Sequence, residues 1–127
     1  MIEFGSRQVL CLDRSPIVHA CMALLLEPAT RYRGACVARE LAGRIAESAP
    51  DLLLVDPDMV ADQDRRRDET WLETLLGGPE RQRVPVYAFT REGSAGLLGG
   101  THRAFDGEIC RSFDSAMVRS IRAALVP

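Results

Sequence analysis

VLCLDRSP, residues 9–16, carries an uncharged apolar run straight into an aspartate, and DLLLVD at 51–56 ends the same way. Both runs are too short for a helix and hold no charge in their interior, so each reads as a strand covered on both faces. Beyond Asp13 the chain turns polar at once. Ser15 is placed to accept a free backbone N–H as a helix cap, and Pro16 suits the first helical position. A covered strand, an acidic end and a helix start therefore follow one another directly.

The same alternation extends along the rest of the chain. The spacing predicts a helix from Pro16 toward Pro28, with Ile17, Cys21, Leu24 and Leu25 on its inward face and Pro28 discouraging continuation. A weak strand around Ala35–Val37 leads to a helix over about Ala38–Ser48, with Leu41 and Ile45 inward. After Asp56, a polar connection, DQDRRRDE, precedes a helix carrying Trp71, Leu72, Leu75 and Leu76, stopped by Gly77-Gly78-Pro79. VPVYAFT (84–90) is a further strand. REGSAGLLGGTHRAFDG then holds a fourth helix that its glycines make short or frayed, since glycine costs about 1 kcal/mol relative to alanine in a helix interior. A last strand, EICR (108–111), gives way to a helix capped by Asp114, with Val118, Ile121 and Leu125 on one face.

Strands alternating with helices imply right-handed crossovers and an α/β fold: a five-stranded parallel sheet flanked by helices on both faces. At 127 residues the chain is read as one domain, 1–127, with residues 1–8 as an N-terminal extension. A net charge of −2 argues against strong electrostatic binding of nucleic acid or of an anionic membrane. Cys11, Cys21, Cys36 and Cys110 are widely spaced, which fits free thiols better than a zinc site or a disulfide framework. No signal peptide is visible, and no apolar run approaches the roughly 18 residues of a membrane span. The expected setting is the cytoplasm.

In an open parallel sheet, ligands bind beyond the carboxyl ends of the strands, near the point where strand order reverses. The strand ends here are Asp13, Asp56, Thr90 and Arg111. Alone, each has an ordinary explanation: Asp13 as a helix-capping turn, Thr90 as a strand residue, Arg111 as a surface cation. Together they bring two carboxylates, a hydroxyl and a cation to one edge.

This pattern resembles the receiver domain of two-component response regulators, over nearly the whole chain. The resemblance implies the flavodoxin-like receiver fold and a signalling module rather than an enzyme. Asp56, ending PDLLLVD, matches the phosphoacceptor aspartate of that family. Asp13, in LDRSP against the usual VDDSP, matches the first member of its acidic pair. Thr90 matches the switch hydroxyl, and Arg111, in CRSFD against VKPFD, stands at the phosphoryl-binding lysine. The family's aspartate takes a phosphoryl group from a phosphohistidine with Mg2+ present. That implies a histidine kinase or histidine phosphotransfer protein as partner, and Asp13, Asp56 and the backbone carbonyl of Asp58 as metal contacts. A homodimer is left open, because the glycine-rich stretch matches the family's usual dimer face poorly.

Several positions depart from the family. Arg14 replaces the second acidic residue, removing an oxygen ligand that Mg2+ prefers and adding a positive charge. Two like charges 4 Å apart repel by about 4 kcal/mol at an effective dielectric near 20. Arg91 follows Thr90 where a small residue is usual. Arg111 keeps the charge of the lysine but not its compact ammonium. Ser112 replaces a proline, which makes the family's cis peptide there unexpected, and Val60 stands where a proline often follows the phosphoacceptor loop.

Arg14 thus admits two readings. Its fork pairs with Asp13, Asp56 or Asp58 in place of a metal, or its side chain leans into water. The first would suit a receiver-like interaction module that is not phosphorylated. Other signals are weaker. His19 reads as a surface or satisfied core histidine, and His102 has no evident partner. GSAGLLGG lacks the Lys-Ser/Thr of a phosphate loop.

Overall fold

The computed structural model describes residues 7–67, 84–91 and 105–126. Five strands form one sheet: β1 (Gln8–Leu12), β2 (Arg31–Ala35), β3 (Leu52–Val55), β4 (Val86–Thr90) and β5 (Gly107–Cys110). Their order is β2-β1-β3-β4-β5, and every neighbouring pair is parallel. Four helices are described: α1 (Pro16–Leu26), α2 (Ala38–Glu47), α3 (Pro57–Arg67) and α4 (Ser115–Leu125). Alternation of side chains along β1 and β3 sends Val9, Cys11, Leu52 and Leu54 to one face, packed with α1 and α4. Leu10, Leu12, Leu53 and Val55 go to the other, packed with α2 and α3. The α/β architecture with helices on both faces is therefore as expected.

The central strands come out as read, because an apolar run buried on both faces has one stable environment. Val9 through Leu12 and Leu52 through Val55 are all fully buried. Ser15 caps α1, its hydroxyl accepting the Val18 N–H at 3.4 Å, with Pro16 in the first turn. Asp114 caps α4, its carboxylate accepting the Met117 N–H at 3.0 Å.

Three readings need correction. The inward face of α1 is Val18, Met22 and Leu26, whereas Ile17 is 76% and Leu24 83% exposed. The helix is apolar on every side, so its period does not select a face. The second strand is Arg31–Ala35, not residues 35–37. As an edge strand it pairs with β1 alone and tolerates charge; Arg33 reaches the Arg44 carbonyl at 2.6 Å, at the end of α2. The polar stretch after Asp56 is not a connection: α3 begins at Pro57 and runs through Arg67, with Met59 and Val60 buried. An aspartate followed by proline is a helix start that the arginine run obscured. The stretch with Trp71, Leu72, Leu75, Leu76 and Gly77-Gly78-Pro79, the glycine-rich fourth helix and His102 lie outside the described residues.

Smaller points agree. Leu41 is buried and Ile45 packs beside it. On α4, Ile121 and Leu125 are buried as expected, with Met117 more deeply set than Val118. The four cysteines are free thiols. Among the described residues the only cis peptide is Glu27–Pro28, so the bond before Ser112 is trans. No described helix is long and apolar enough to cross a membrane.

Gly43 lies inside α2, and nothing stands within 4 Å of where a Cβ would be. Gly43→Ala should raise stability by about 0.5–1 kcal/mol through helix propensity. The check is the urea midpoint, with an unchanged slope.

Candidate functional site

The order β2-β1-β3-β4-β5 reverses between β1 and β3, and the two aspartates sit at the carboxyl ends of those strands. The Asp56 N–H donates to the Leu12 carbonyl at 3.0 Å, holding the two ends together. Both carboxylates also start helices. Asp13 Oδ1 accepts the Ser15 N–H at 2.9 Å, and Asp56 Oδ1 accepts the Asp58 N–H at 2.9 Å. The capping turn that is the ordinary explanation of Asp13 is thus real, Asp56 makes the same kind of turn, and each uses one carboxylate oxygen.

Asp13 Oδ2 accepts from the guanidinium of Arg111. The side chains are 2% and 11% exposed, so this ion pair is shielded from water. Arg111 arrives from the end of β5. Its N–H donates to the Thr90 carbonyl at 2.8 Å, and its guanidinium carbon stands 5.9 Å from the centre of the Phe89 ring. Just beyond, Phe113 adopts φ 55°, a left-handed conformation that turns the chain into α4.

A cleft of about 360 Å³ opens here, lined by Asp13, Arg14, Ser15, Val18, Asp56, Arg91, Arg111 and Phe113. Three of the four strand-end residues therefore meet as expected. The fourth, Thr90, is buried at the end of β4 and is not among the lining side chains. Arg91 is exposed on the cleft wall. Arg14 is exposed and, among the described residues, makes no ion pair with Asp13, Asp56 or Asp58. The cation that holds the acidic edge is Arg111. Asp58 offers its backbone to Asp56, while its side chain is exposed. The chain contains no lysine, so an arginine at 111 is no signal by itself; its pairing is.

Asp56 is 5% exposed, and burial raises its carboxyl above the ordinary value. The Asp58 N–H and then Arg111 oppose that shift, and Asp13 adds to it. The donor set does not fit Mg2+ as it stands. Asp13 has both oxygens engaged, Asp56 has one engaged, and the second acidic position is an arginine. Among the described residues, no three His, Cys, Asp or Glu side chains are grouped to hold a metal ion.

His19 supports the acidic edge from behind, a contact the sequence did not reveal. One ring nitrogen lies 2.8 Å from the Asp13 carbonyl and the other 2.6 Å from the Tyr32 hydroxyl. A carbonyl only accepts, so Nε2 carries a hydrogen, and in the neutral ring Nδ1 accepts from the Tyr32 hydroxyl. Burial pushes the Tyr32 phenol and the Cys11 thiol up, which keeps both protonated. The ring lies so close over β2 that a Cβ at position 34 would clash with it. A lone helical histidine carries no such information in sequence; Gly34 inside a strand is the one hint of close approach.

No family model matches the sequence, and no curated protein matches it. Solved structures do. A response regulator from Hahella chejuensis aligns at TM-score 0.69 and 14% identity, covering 95% of this chain and 96% of that one. A CheY-like receiver domain from Methylobacillus flagellatus aligns at 0.66 and 14%, covering 94% and 98%. The co-crystal structure of a histidine phosphotransfer signalling protein of Saccharomyces cerevisiae with the receiver domain of its downstream response regulator aligns at 0.62 and 16%, covering 93% and 87%.

Two outcomes test the site. Gly34→Ala should cost about 1–3 kcal/mol by forcing the His19 ring from its two hydrogen bonds, read as a lower melting temperature. Asp56→Asn should raise the melting temperature at neutral pH. A carboxyl with a raised folded-state pKa contributes stability below its unfolded pKa and loses it as pH rises through the folded one. The gain from Asp56→Asn should therefore vanish in melts at acid pH. Strand order, layer arrangement and these comparisons lead to one conclusion: the chain has the fold of a response regulator receiver domain.

Proposed function

We propose that the chain is a receiver domain in phosphorelay signalling, with Asp56 as phosphoryl acceptor and a histidine kinase or histidine phosphotransfer protein as donor. The observation that carries this reading is the placement of Asp56: a buried carboxylate at the strand-order reversal, facing a cleft shared with Arg111. Its Oδ1 is fixed by the Asp58 N–H, and its other oxygen has no partner among the described residues. A nucleophile held in one orientation beside a cation is what attack on a phosphoryl group requires.

In the step, an Asp56 oxygen forms a bond to phosphorus as the P–N bond of the donor phosphohistidine breaks. The electron pair stays on the imidazole nitrogen, and the ring, protonated on its other nitrogen, leaves as neutral imidazole. Arg111 lies beside the developing charge on the phosphoryl oxygens. Thr90, whose carbonyl holds the Arg111 backbone, stands at the switch position of the resemblance, but its side chain is buried and does not line the cleft. Arg14 and Arg91 line the approach. No step here is routed through Mg2+, which the carboxylates do not accommodate as arranged.

A second reading rests on the Asp13–Arg111 pair. An acidic edge closed by an internal cation suits a receiver-like interaction module that takes no phosphoryl group. Incubation with acetyl phosphate separates the two. The first reading expects a mass increase of one phosphoryl group, absent in Asp56→Asn. No increase with or without a divalent ion, in a folded protein, would sink it and leave the second.

A further inference from the structure

Taking the receiver reading of the cleft as its basis, we propose that the site binds an oxyanion of the phosphate class on guanidinium groups alone, with Arg111 seated in place of a divalent cation. The carboxylate oxygens are largely committed. Asp13 gives one to the Ser15 N–H and one to Arg111, and Asp56 gives one to the Asp58 N–H. A metal ion entering the cleft would have to displace a shielded guanidinium from Asp13 or rely on the remaining Asp56 oxygen, with Arg14 on the rim.

The charges point the same way. Three arginines and two aspartates are among the residues lining the cleft. Once Arg111 neutralises Asp13, a dication would meet only the remaining Asp56 oxygen, with the Arg14 guanidinium on the same wall. Arg111 is also prepared to receive an anion. A guanidinium carries five N–H donors in a rigid fork. One nitrogen serves Asp13, while the Phe89 ring and the backbone bond to Thr90 limit where the group can go. Its other donors have no partner among the described residues, and the fork matches two oxygens of a tetrahedral oxyanion. At about 360 Å³ the cleft admits such a group together with water, which occupies about 30 Å³ per molecule in the liquid.

The test uses the full chain and inorganic phosphate as probe, in chelator and then in magnesium chloride, followed by calorimetry. Phosphate should bind in chelator, magnesium should leave its affinity unchanged within about twofold, and magnesium alone should give no binding heat. Arg111→Gln should weaken phosphate binding by about tenfold or more. Arg14→Ser, at an exposed position, should weaken it by a few fold and keeps the test open if the first variant does not fold. Binding of phosphate only with magnesium, binding of magnesium alone, or no phosphate binding would each overturn the proposal.

Labelling with acetyl phosphate separates this inference from the function it rests on. There an Asp56 oxygen bonds phosphorus as the P–O bond breaks, and acetate leaves with the electron pair. Labelling that is equal in chelator and in magnesium supports both. Labelling only with magnesium keeps the receiver function and overturns the inference. Phosphate binding in chelator without labelling keeps the inference and overturns phosphoryl acceptance.

Discussion

The ion pair between Asp13 and Arg111 joins residues 98 positions apart and closes the carboxyl edge of the sheet from β1 to β5, across β3 and β4. Taking two such charges out of water is costly, and their attraction offsets that cost only when the geometry is good and the spare hydrogen-bonding groups are satisfied. Those conditions are met here in part by the Ser15 N–H on Asp13 and by the Phe89 ring beside Arg111. The arrangement fixes which carboxylate remains free. Asp13 is committed to the fold, and Asp56 faces the cleft with an oxygen to spare.

Local structure and site are inseparable in this edge. Each aspartate ends a strand, starts a helix and faces its partner across the strand-order reversal. His19 and Tyr32 brace the Asp13 backbone from the α1 side, and Gly34 makes room for the ring between them. The left-handed turn at Phe113 sends the chain from Arg111 into α4 and places an aromatic side chain on the cleft wall. A disturbance at any of these points reaches the acidic edge through one or two contacts.

Much of this was legible in the sequence, and the failures have identifiable causes. Val9–Leu12 and Leu52–Val55 announced themselves because continuous apolar runs fit only a strand buried on both faces. Asp13, Asp56 and Arg111 followed from the rule that ligands sit beyond strand ends. The α1 face was illegible because PIVHACMALLL is apolar on all sides, so tertiary packing alone decides that Met22 goes in and Leu24 out. β2 was misplaced because an edge strand with Arg31 and Arg33 lacks the apolar signal of a central one. The choice of Arg111 over Arg14 as partner of Asp13 was beyond sequence reading: it depends on which guanidinium the folded loops bring within reach.

The most direct measurement of the central claim is a double-mutant cycle on Asp13→Asn and Arg111→Met, followed by urea unfolding. A shielded pair of this kind should couple by about 2 kcal/mol or more, with the double variant more stable than the single losses summed would allow. A coupling indistinguishable from zero, with both single variants folded, would mean that the two residues do not meet, and the cleft described here would not exist in solution.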